Sequence, residues 1–327
     1  MPRLILSVVY RTNPPWTLPE EYIEDIRRAA GDAFEVYQAA SDEEVAARLG
    51  ETQIMYGWHL TPQDVARAPK LRWAQATSAG VDGMLFPELV DRGIILTSAV
   101  GIHAIEISEQ AMGTMVALTR QFPKFMRQQI EGVWLRSVTS EEMGELYEKT
   151  LAIIGLGHIG EALAVRAKAF GMRVLGIRRT PAGYRGVADE VAAANRMGDV
   201  VSRADYVVAL LPQTPETDKA ISAEVIARMK PTAYFLNFGR GSAVDQMALE
   251  MALSTGKIAG AGLDVFAEEP LPIDSPLWRM ENVIITPHVS GMTPRYWERA
   301  TELFCENLRR YMRGEKLLNV VTRETGY

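Results

Sequence analysis

The chain has 327 residues, and at roughly 150 residues per domain this length predicts about two domains. Hydrophobic residues make up 47% and charged residues 23% of the chain, which is an ordinary globular composition and excludes a disordered, collagen-like or long coiled-coil protein. The net charge of −6 argues against non-specific binding to nucleic acid or to an anionic membrane, because both favour a basic protein surface.

Cysteine usage and hydropathy exclude further classes. The single cysteine, Cys305, excludes an internal disulfide framework, and with four histidines the chain lacks the ligand spacing of a zinc site. A membrane span needs about 18 consecutive apolar residues, and the chain contains no such stretch. The apolar run near the N-terminus is too short for a signal peptide. We therefore expect a cytoplasmic protein without a metal ion.

Short apolar runs alternate with helical periods along the chain. The first hundred residues predict a helix over Pro19–Ala30 and strands at Leu4–Val9, Phe34–Tyr37, Gln53–Tyr56, Leu71–Ala74 and Ile94–Leu96. A longer helical pattern covers Ile102–Ile130 and is interrupted by Pro123, and an irregular stretch follows it. The second series predicts an amphipathic helix over Pro294–Arg313 and strands at Leu151–Ile154, Arg173–Ile177, Tyr206–Leu211, Ala233–Phe238, Gly260–Phe266 and Val283–Thr286. Strands that alternate with helices predict two α/β units with parallel sheets covered on both faces.

A glycine-rich turn follows the first strand of the second series. Its residues, Gly155-Leu156-Gly157-His158-Ile159-Gly160, match G-x-G-x-x-G and lead into a helical period. The first glycine permits a tight turn, the second lets the backbone approach a pyrophosphate, and the third lets helix and strand pack closely. Unpaired N–H groups at the helix start favour an anion. The turn therefore predicts a dinucleotide site, with a purely structural turn as the alternative.

The acidic residue that usually accompanies such a turn is missing. An NAD-binding unit has an acid about 20 residues further on, where it binds the ribose hydroxyls. Here the second strand runs into Arg178 and Arg179, and Arg178 lies 178 − 155 = 23 residues after Gly155. A carboxylate would repel a 2′-phosphate, whereas guanidinium groups bind it. We predict that NADP(H) is preferred and that NAD(H) is a weaker alternative; a solvated basic turn is the competing interpretation.

Several ordered motifs resemble those of the D-isomer-specific 2-hydroxyacid dehydrogenases. They are the glycine turn, Asn237-Phe238-Gly239-Arg240-Gly241, Gly260–Phe266, Glu269-Pro270 and Pro287-His288. The resemblance runs from Ser78 to the C-terminal helix and points to the NADP-preferring branch similar to glyoxylate and hydroxypyruvate reductases. It implies two doubly wound α/β domains: a Rossmann cofactor domain, residues 98–287, inserted into a flavodoxin-like substrate domain, residues 1–97 and 288–327. Residues from about 101 to 149 resemble the family's dimerisation region, so we expect a homodimer.

Reduction of a 2-oxo acid requires a cation for the carboxylate, a proton donor for the carbonyl oxygen and a hydride. Arg240 lies in a glycine-flanked loop after a predicted strand, where its planar fork could hold carboxylate and carbonyl together. His288 follows another strand at the carboxyl edge where open α/β folds bind ligands, and it can exchange a proton near neutral pH. Glu269, preferred to Glu268 because the family's glutamate precedes a proline, would orient His288. The competing interpretations are a solvated arginine and a structural histidine.

The resemblance implies further binding residues. Asp264 would contact the nicotinamide carboxamide, and the backbone N–H groups of Ser78, Ala79 and Gly80 would receive the substrate carboxylate, where small residues permit close approach. Arg240 and His288 would also touch both cofactor and substrate. His103 could line the cleft, but a role at the helix start or in the structure is the simpler interpretation. Trp134 and Trp297 could close the substrate pocket, but packing in the core or at an interface explains them more simply, so none of the three is assigned a role. The remaining predicted cofactor contacts are Leu211, Pro212, Thr217, Phe238, Gly239 and Gly291.

The sequence is also compatible with other functions. Oxidoreductases with the same scaffold act on formate, phosphite or 3-phosphoglycerate; Glu269 argues against the formate enzymes, which carry glutamine there, and 327 residues leave no room for the regulatory domains that 3-phosphoglycerate enzymes usually append. A nucleotide-sensing corepressor is an alternative from another class. The choice among glyoxylate, hydroxypyruvate, pyruvate and phenylpyruvate is not determined, because one methylene changes discrimination by only about 1–3 kcal/mol.

Overall fold

The structure is a computed structural model that describes residues 2–7, 9–10, 16–58, 60–81, 83–134, 139–140 and 142–322. Several predicted regions extend beyond this set. Outside the described residues lie 1, 8, 11–15, 59, 82 and 323–327 of the predicted substrate domain, and 135–138 and 141 of the predicted dimerisation region.

The chain divides into two compact units. Unit 1 contains residues 1–102 and 293–327, and unit 2 contains residues 103–292. Both boundaries lie five residues later than the sequence predicted (103 − 98 = 5 and 293 − 288 = 5). His288 therefore belongs to unit 2 and not to the discontinuous unit, because its backbone N–H donates to the carbonyl oxygen of Asp264 at 2.8 Å and holds it to that sheet.

Unit 1 contains a parallel sheet with helices on its faces. Its described strands in sheet order are β4-β1-β5-β6-β7, which is the 2-1-3-4-5 order of flavodoxin-like folds. A short antiparallel pair, β2 and β3, lies apart from it. The elements are β1 (Arg3–Ser7), β2 (Val9–Tyr10), β3 (Trp16–Thr17), α1 (Glu20–Ala30), β4 (Glu35–Gln38), α2 (Asp42–Arg48), β5 (Thr52–Gly57), α3 (Pro62–Arg67), β6 (Trp73–Ala76), α4 (Pro87–Asp91) and β7 (Ile95–Thr97).

Unit 2 contains a larger parallel sheet. Its described strands follow the order β10-β9-β8-β11-β12-β13-β14, the Rossmann order 3-2-1-4-5-6 with one further strand. Its elements, and the helix α11 that returns the chain to unit 1, are α5 (Ala104–Thr119), α6 (Phe122–Glu131), β8 (Thr150–Ile154), α7 (His158–Ala169), β9 (Arg173–Ile177), β10 (Glu190–Ala192), α8 (Met197–Val201), β11 (Tyr206–Ala209), α9 (Ala223–Ala227), β12 (Tyr234–Asn237), α10 (Gln246–Ser254), β13 (Gly260–Leu263), β14 (Val283–Ile285) and α11 (Tyr296–Arg313).

Both faces of each large sheet are buried, which explains the continuous apolar runs of the predicted strands. Successive side chains of a strand point to opposite faces. In β8, Ala152 and Ile154 pack on one side in a cluster that includes Phe235. Leu151 and Ile153 pack on the other side. The predicted fold class, two doubly wound α/β domains, is confirmed.

The helical pattern over Ile102–Ile130 forms two helices. Gln121 adopts a left-handed conformation with φ 59°, and α6 begins directly after it. Pro123 lies in the first turn of α6, where its missing N–H leaves no hydrogen bond unmade. In the described part of the chain, no helix has an apolar stretch long enough to cross a membrane.

Several short elements were not predicted, among them α2 and β10. The helix α2 begins at a Ser41 cap whose side chain accepts a hydrogen bond from the backbone N–H of Glu44. The strand β10 has three residues at the sheet edge, all half-buried, and carries too little apolar pattern to be detected.

Candidate active site

The glycine turn has the geometry that its sequence requires. Gly155 has a φ of 102°, and a Cβ at this position would lie 2.6 Å from the carbonyl oxygen of Leu210. A Cβ at Gly160 would lie 2.8 Å from the carbonyl oxygen of Gly155, so this glycine allows α7 to pack against the turn. At Gly157, in contrast, an added Cβ would meet no atom of the described residues within 4 Å. The turn therefore leaves room for a pyrophosphate beside Gly157 at the start of α7, where unpaired N–H groups favour an anion.

The basic pair lies at the end of β9, beside the turn in the sheet order. Arg178 is half-buried, and its guanidinium carbon lies 5.7 Å from the centre of the Tyr184 ring. Arg179 is exposed. The charge of Arg179 also acts on Glu216. The pKa of this carboxyl is lowered first by a hydrogen bond from its own backbone N–H, then by a hydrogen bond from the Thr214 side chain, and also by the charge of Arg179. Arg178 and Arg179 thus follow the strand at the position where an NAD-selecting acid would lie.

The Arg240 loop depends on close backbone contacts. A Cβ at Gly239 would lie 2.6 Å from the carbonyl oxygen of Leu211, and a Cβ at Gly241 would overlap the carbonyl group of Phe266. Glycine on both sides of Arg240 is therefore a packing requirement. The side chain of Arg240 is half-buried, and its Nη1 donates to the carbonyl oxygen of Gly239 at 3.0 Å.

His288 and Glu269 form a hydrogen-bonded pair. The Nδ1 atom of His288 lies 2.7 Å from Oε2 of Glu269, and the backbone N–H of Phe266 donates to Oε1 of Glu269 at 3.0 Å. Half of the His288 side chain and about a third of Glu269 are exposed (50% and 36%). Because Nδ1 faces the carboxylate, Nε2 is the nitrogen left to face a substrate. Strands β12, β13 and β14 are neighbours, so Arg240, Glu269 and His288 follow the carboxyl ends of adjacent strands.

Asp264 is fully buried and organises the turn that carries His288. Its Oδ1 accepts a hydrogen bond from the backbone N–H of Val289 at 3.1 Å and another from the hydroxyl of Thr286. Its Oδ2 accepts from the backbone N–H of Ser290 at 3.1 Å. The Nε2 of Gln110, from α5, donates to the hydroxyl oxygen of Thr286 at 3.0 Å. Asp264 therefore positions the His288 turn through its own contacts, and its predicted nicotinamide contact stays a prediction.

Sequence reasoning missed Gln110 and Thr286. Both lie far from Asp264 along the chain, at separations of 154 and 22 residues. No pattern singles out Gln110, which directly follows Ser108 and Glu109 in α5.

The other predicted cofactor contacts lie in the turn after β11, beside His103 and at the start of α7. The hydroxyl of Thr217 donates to the carbonyl oxygen of Pro212 at 2.6 Å and closes its own turn after β11. A Cβ at Gly291 would lie 3.2 Å from Nδ1 of His103, whose ring pairs with Glu106 at 3.0 Å. His158 is exposed at the start of α7.

The Ser78–Gly80 loop belongs to unit 1, where it follows β6. The Ser78 hydroxyl donates to the carbonyl oxygen of Gly80 at 2.6 Å, and the Ser78 carbonyl accepts from the N–H of Ala99 at 2.9 Å. These contacts fix the loop within its own unit.

Trp297 is buried in the core of unit 1, and Trp134 of unit 2 is 92% exposed. Among the described residues, no three His, Cys, Asp or Glu side chains group as a metal site.

Comparisons with known proteins identify similar sequences. The family model described as D-isomer specific 2-hydroxyacid dehydrogenase, NAD binding domain, matches residues 112–290. Glyoxylate reductase from Korarchaeum cryptofilum is 37% identical over 262 residues, which cover 79% of this chain and 78% of that relative. D-3-phosphoglycerate dehydrogenase from Methanocaldococcus jannaschii is 35% identical over 304 residues, which cover 89% of this chain but only 57% of that relative. This chain thus spans little more than half the length of the second relative.

A solved structure matches the whole chain. It is the NADPH-dependent glyoxylate/hydroxypyruvate reductase from Sinorhizobium meliloti, in complex with NADP and sulfate. The sequence identity is 27%, the match covers 100% of both chains, and the TM-score is 0.82.

Proposed function

This chain belongs to the D-isomer specific 2-hydroxyacid dehydrogenase family, and from that premise we propose that it reduces small 2-oxo acids to D-2-hydroxy acids with a preference for NADPH. The hydrogen-bonded pair of His288 and Glu269, at the same sheet edge as the Arg240 loop, carries this proposal. The pair supplies a proton donor and Arg240 supplies a cation that binds an anion, which are the two groups that such a reduction needs from the protein.

The chain's own residues perform three tasks in this proposal. Arg240 binds the substrate carboxylate and polarises the adjacent carbonyl with its guanidinium. Glu269 holds Nδ1 of His288, so that the proton is delivered from Nε2 to the carbonyl oxygen. The reduced nicotinamide cofactor, which the glycine turn would hold, would supply the hydride for the carbonyl carbon, and His288 donates the proton that completes the alcohol. In the reverse direction, His288 accepts the hydroxyl proton. For the Ser78–Gly80 loop, binding of the substrate carboxylate rests on the resemblance alone.

The preference for NADPH rests on the end of β9. The glycine turn would hold the pyrophosphate, and Arg178 and Arg179 would face the 2′-phosphate of the adenosine ribose. The similar reductase from Sinorhizobium meliloti is NADPH-dependent, which supports the same assignment here.

A panel of 2-oxo acids, each assayed with NADPH and with NADH, tests the proposal. We expect the highest kcat/KM with a small 2-oxo acid and NADPH. The panel includes 3-phosphohydroxypyruvate, because a D-3-phosphoglycerate dehydrogenase is also similar to this chain. A clear preference for that substrate, or for NADH, would contradict the corresponding part of the proposal. Absence of turnover with every acid would favour a nucleotide-binding regulator instead.

We also propose a homodimer formed through α6. Three apolar side chains recur every four residues on this helix: Phe122, Met126 and Ile130 are 50%, 62% and 85% exposed. Monomeric proteins seldom expose a contiguous apolar stripe, so a second copy of the chain is the expected cover.

A further inference from the structure

The loop between β9 and β10 contacts α7 at two points: Lys168 of α7 pairs with Asp189 at the end of the loop at 2.8 Å, and Tyr184 contacts the first turn of the helix. The Tyr184 hydroxyl donates to Oε2 of Glu161 at 3.0 Å and accepts a hydrogen bond from the backbone N–H of Ala188 at 3.1 Å. Glu161 lies in the first turn of α7, where its N–H donates to the carbonyl oxygen of Gly157 at 2.8 Å. The phenol therefore connects the loop after the basic pair to the helix that begins at the glycine turn. We call Tyr184 and Glu161 the tyrosine latch.

Because Gly186 has no side chain, there is room beside it for the tyrosine latch. A Cβ at this position would overlap both the hydroxyl oxygen of Tyr184 and the carboxylate of Glu161. The φ of Gly186 lies outside the left-handed region, so its backbone would accept a side chain. The atoms in the way are the ends of two flexible side chains. A methyl group at position 186 is thus expected to displace the latch and to leave the backbone in place.

Arg178 lies over the ring that the latch holds. Its guanidinium carbon is 5.7 Å from the ring centre, within the range of a cation–π contact. The pKa of Tyr184 is raised by burial first and also by Glu161, while the charge of Arg178 lowers it. The ring is thus partly desolvated between a carboxylate at its hydroxyl end and a cation near its face.

We propose that Tyr184 is a positioning residue for recognition of the 2′-phosphate, acting through Arg178. A free arginine samples many rotamers and must be ordered when it binds a ligand, whereas an arginine held against a fixed ring has lost part of that freedom already. The benefit applies only to a ligand that contacts Arg178. It therefore favours NADPH over NADH. This inference rests on the proposed cofactor preference, and it adds that the latch sets the size of that preference.

The test is a binding titration of the purified protein with NADPH and with NADH, which requires no knowledge of the substrate. Tyr184→Leu removes both the ring and the latch, and Gly186→Ala displaces the latch without altering either of its members. For both variants we expect the Kd for NADPH to rise about three- to tenfold, the range of a partly desolvated cation–π contact. The Kd for NADH should change less than twofold. Glu161→Gln keeps an oxygen that accepts the phenol hydrogen bond and should retain the wild-type ratio.

Tyr147→Phe is the matched control, because it removes a hydroxyl group from an exposed tyrosine of the same unit. Equal weakening of NADPH and NADH binding in Tyr184→Leu and Gly186→Ala would show a merely structural role and overturn the inference. Unchanged affinities for both cofactors would also overturn it, while a wild-type preference for NADPH would leave the proposed function standing. A wild-type preference for NADH would overturn both.

Discussion

His288 adopts an unusual backbone conformation. Its φ of 52° lies in the left-handed region, which costs most non-glycine residues roughly 1 kcal/mol and is tolerated better by histidine than by bulky or branched side chains. The hydrogen bonds from its N–H to the carbonyl oxygens of Asp264 and Thr286 hold this conformation. As a result the ring meets Glu269 at the carboxyl edge of the sheet.

Replacing the ring tests the proposed proton donor. In His288→Gln we expect kcat to fall by about 10²–10⁴, the usual contribution of a general acid, while the Kd for NADPH stays near its wild-type value. Steady-state kinetics with the best 2-oxo acid and a cofactor titration measure the two quantities. Glu269→Gln should reduce kcat less, since an amide oxygen can still accept from Nδ1. Near-normal kcat in His288→Gln would contradict the assigned role.

Burial determines the reactivity of Cys305. It raises the pKa of this thiol from 9.0 to about 11, because desolvation penalises the thiolate. At pH 8 a thiol with the ordinary pKa is about 10% thiolate, whereas one with a pKa near 11 is about 0.1% thiolate. We expect the folded protein to react with a thiol reagent at least about 100-fold more slowly than the urea-unfolded protein.

The same shift predicts a stability change at alkaline pH. Because the folded pKa is raised, the neutral thiol contributes its full stability below pH 9 and loses it as the pH rises towards 11. Equal reaction rates for folded and unfolded protein at pH 8 would contradict both expectations.

At the scale of elements, the turn after β14 depends on a carboxylate from the end of β13. In Asp264→Asn only one oxygen is left in the side chain. It can accept from Val289 and Thr286, or from Ser290, but the amide nitrogen that replaces the other oxygen accepts no hydrogen bond, so a buried donor loses its partner. We expect a loss of about 1–3 kcal/mol in the free energy of unfolding and a lower kcat through the displaced His288.

Asp245→Asn provides the matched control. Asp245 caps α10 by accepting from the backbone N–H of Ala248, and asparagine caps a helix nearly as well. Urea denaturation of both variants measures the difference. Equal stabilities of the two variants would show that the Asp264 contacts are dispensable.

At the scale of the whole molecule, the exposed stripe on α6 predicts the oligomeric state. Ile130→Glu places a charge on its most exposed apolar residue and should shift the protein from dimer to monomer in sedimentation velocity. Met251→Glu, at a 65% exposed position on α10, should leave the dimer intact. A monomeric wild-type protein, or equal sedimentation of the two variants, would contradict the proposed interface.

Local patterns predicted much of this architecture because their physical causes are local. A strand, a glycine turn and a helix follow one another within twenty residues, so the dinucleotide turn at Gly155 could be derived from spacing. The alternating strands and helices determined two parallel sheets in the same way. The His288 and Glu269 assignment came from resemblance, and the structure places their side chains in contact.

Tertiary structure decided what depends on contacts between distant segments. Gln110 and Thr286 are 176 residues apart, and Tyr184 and Glu161 belong to different elements. A pattern along the chain does not carry such pairings, because they arise only when the sheet brings strand ends and helix starts together. For the same reason the second unit boundary lies after His288, whose backbone N–H donates to the carbonyl oxygen of Asp264 in unit 2. The sequence by itself determined the family and the fold and led to the proposed chemistry-bearing residues, and the tertiary structure decided which neighbours contact them.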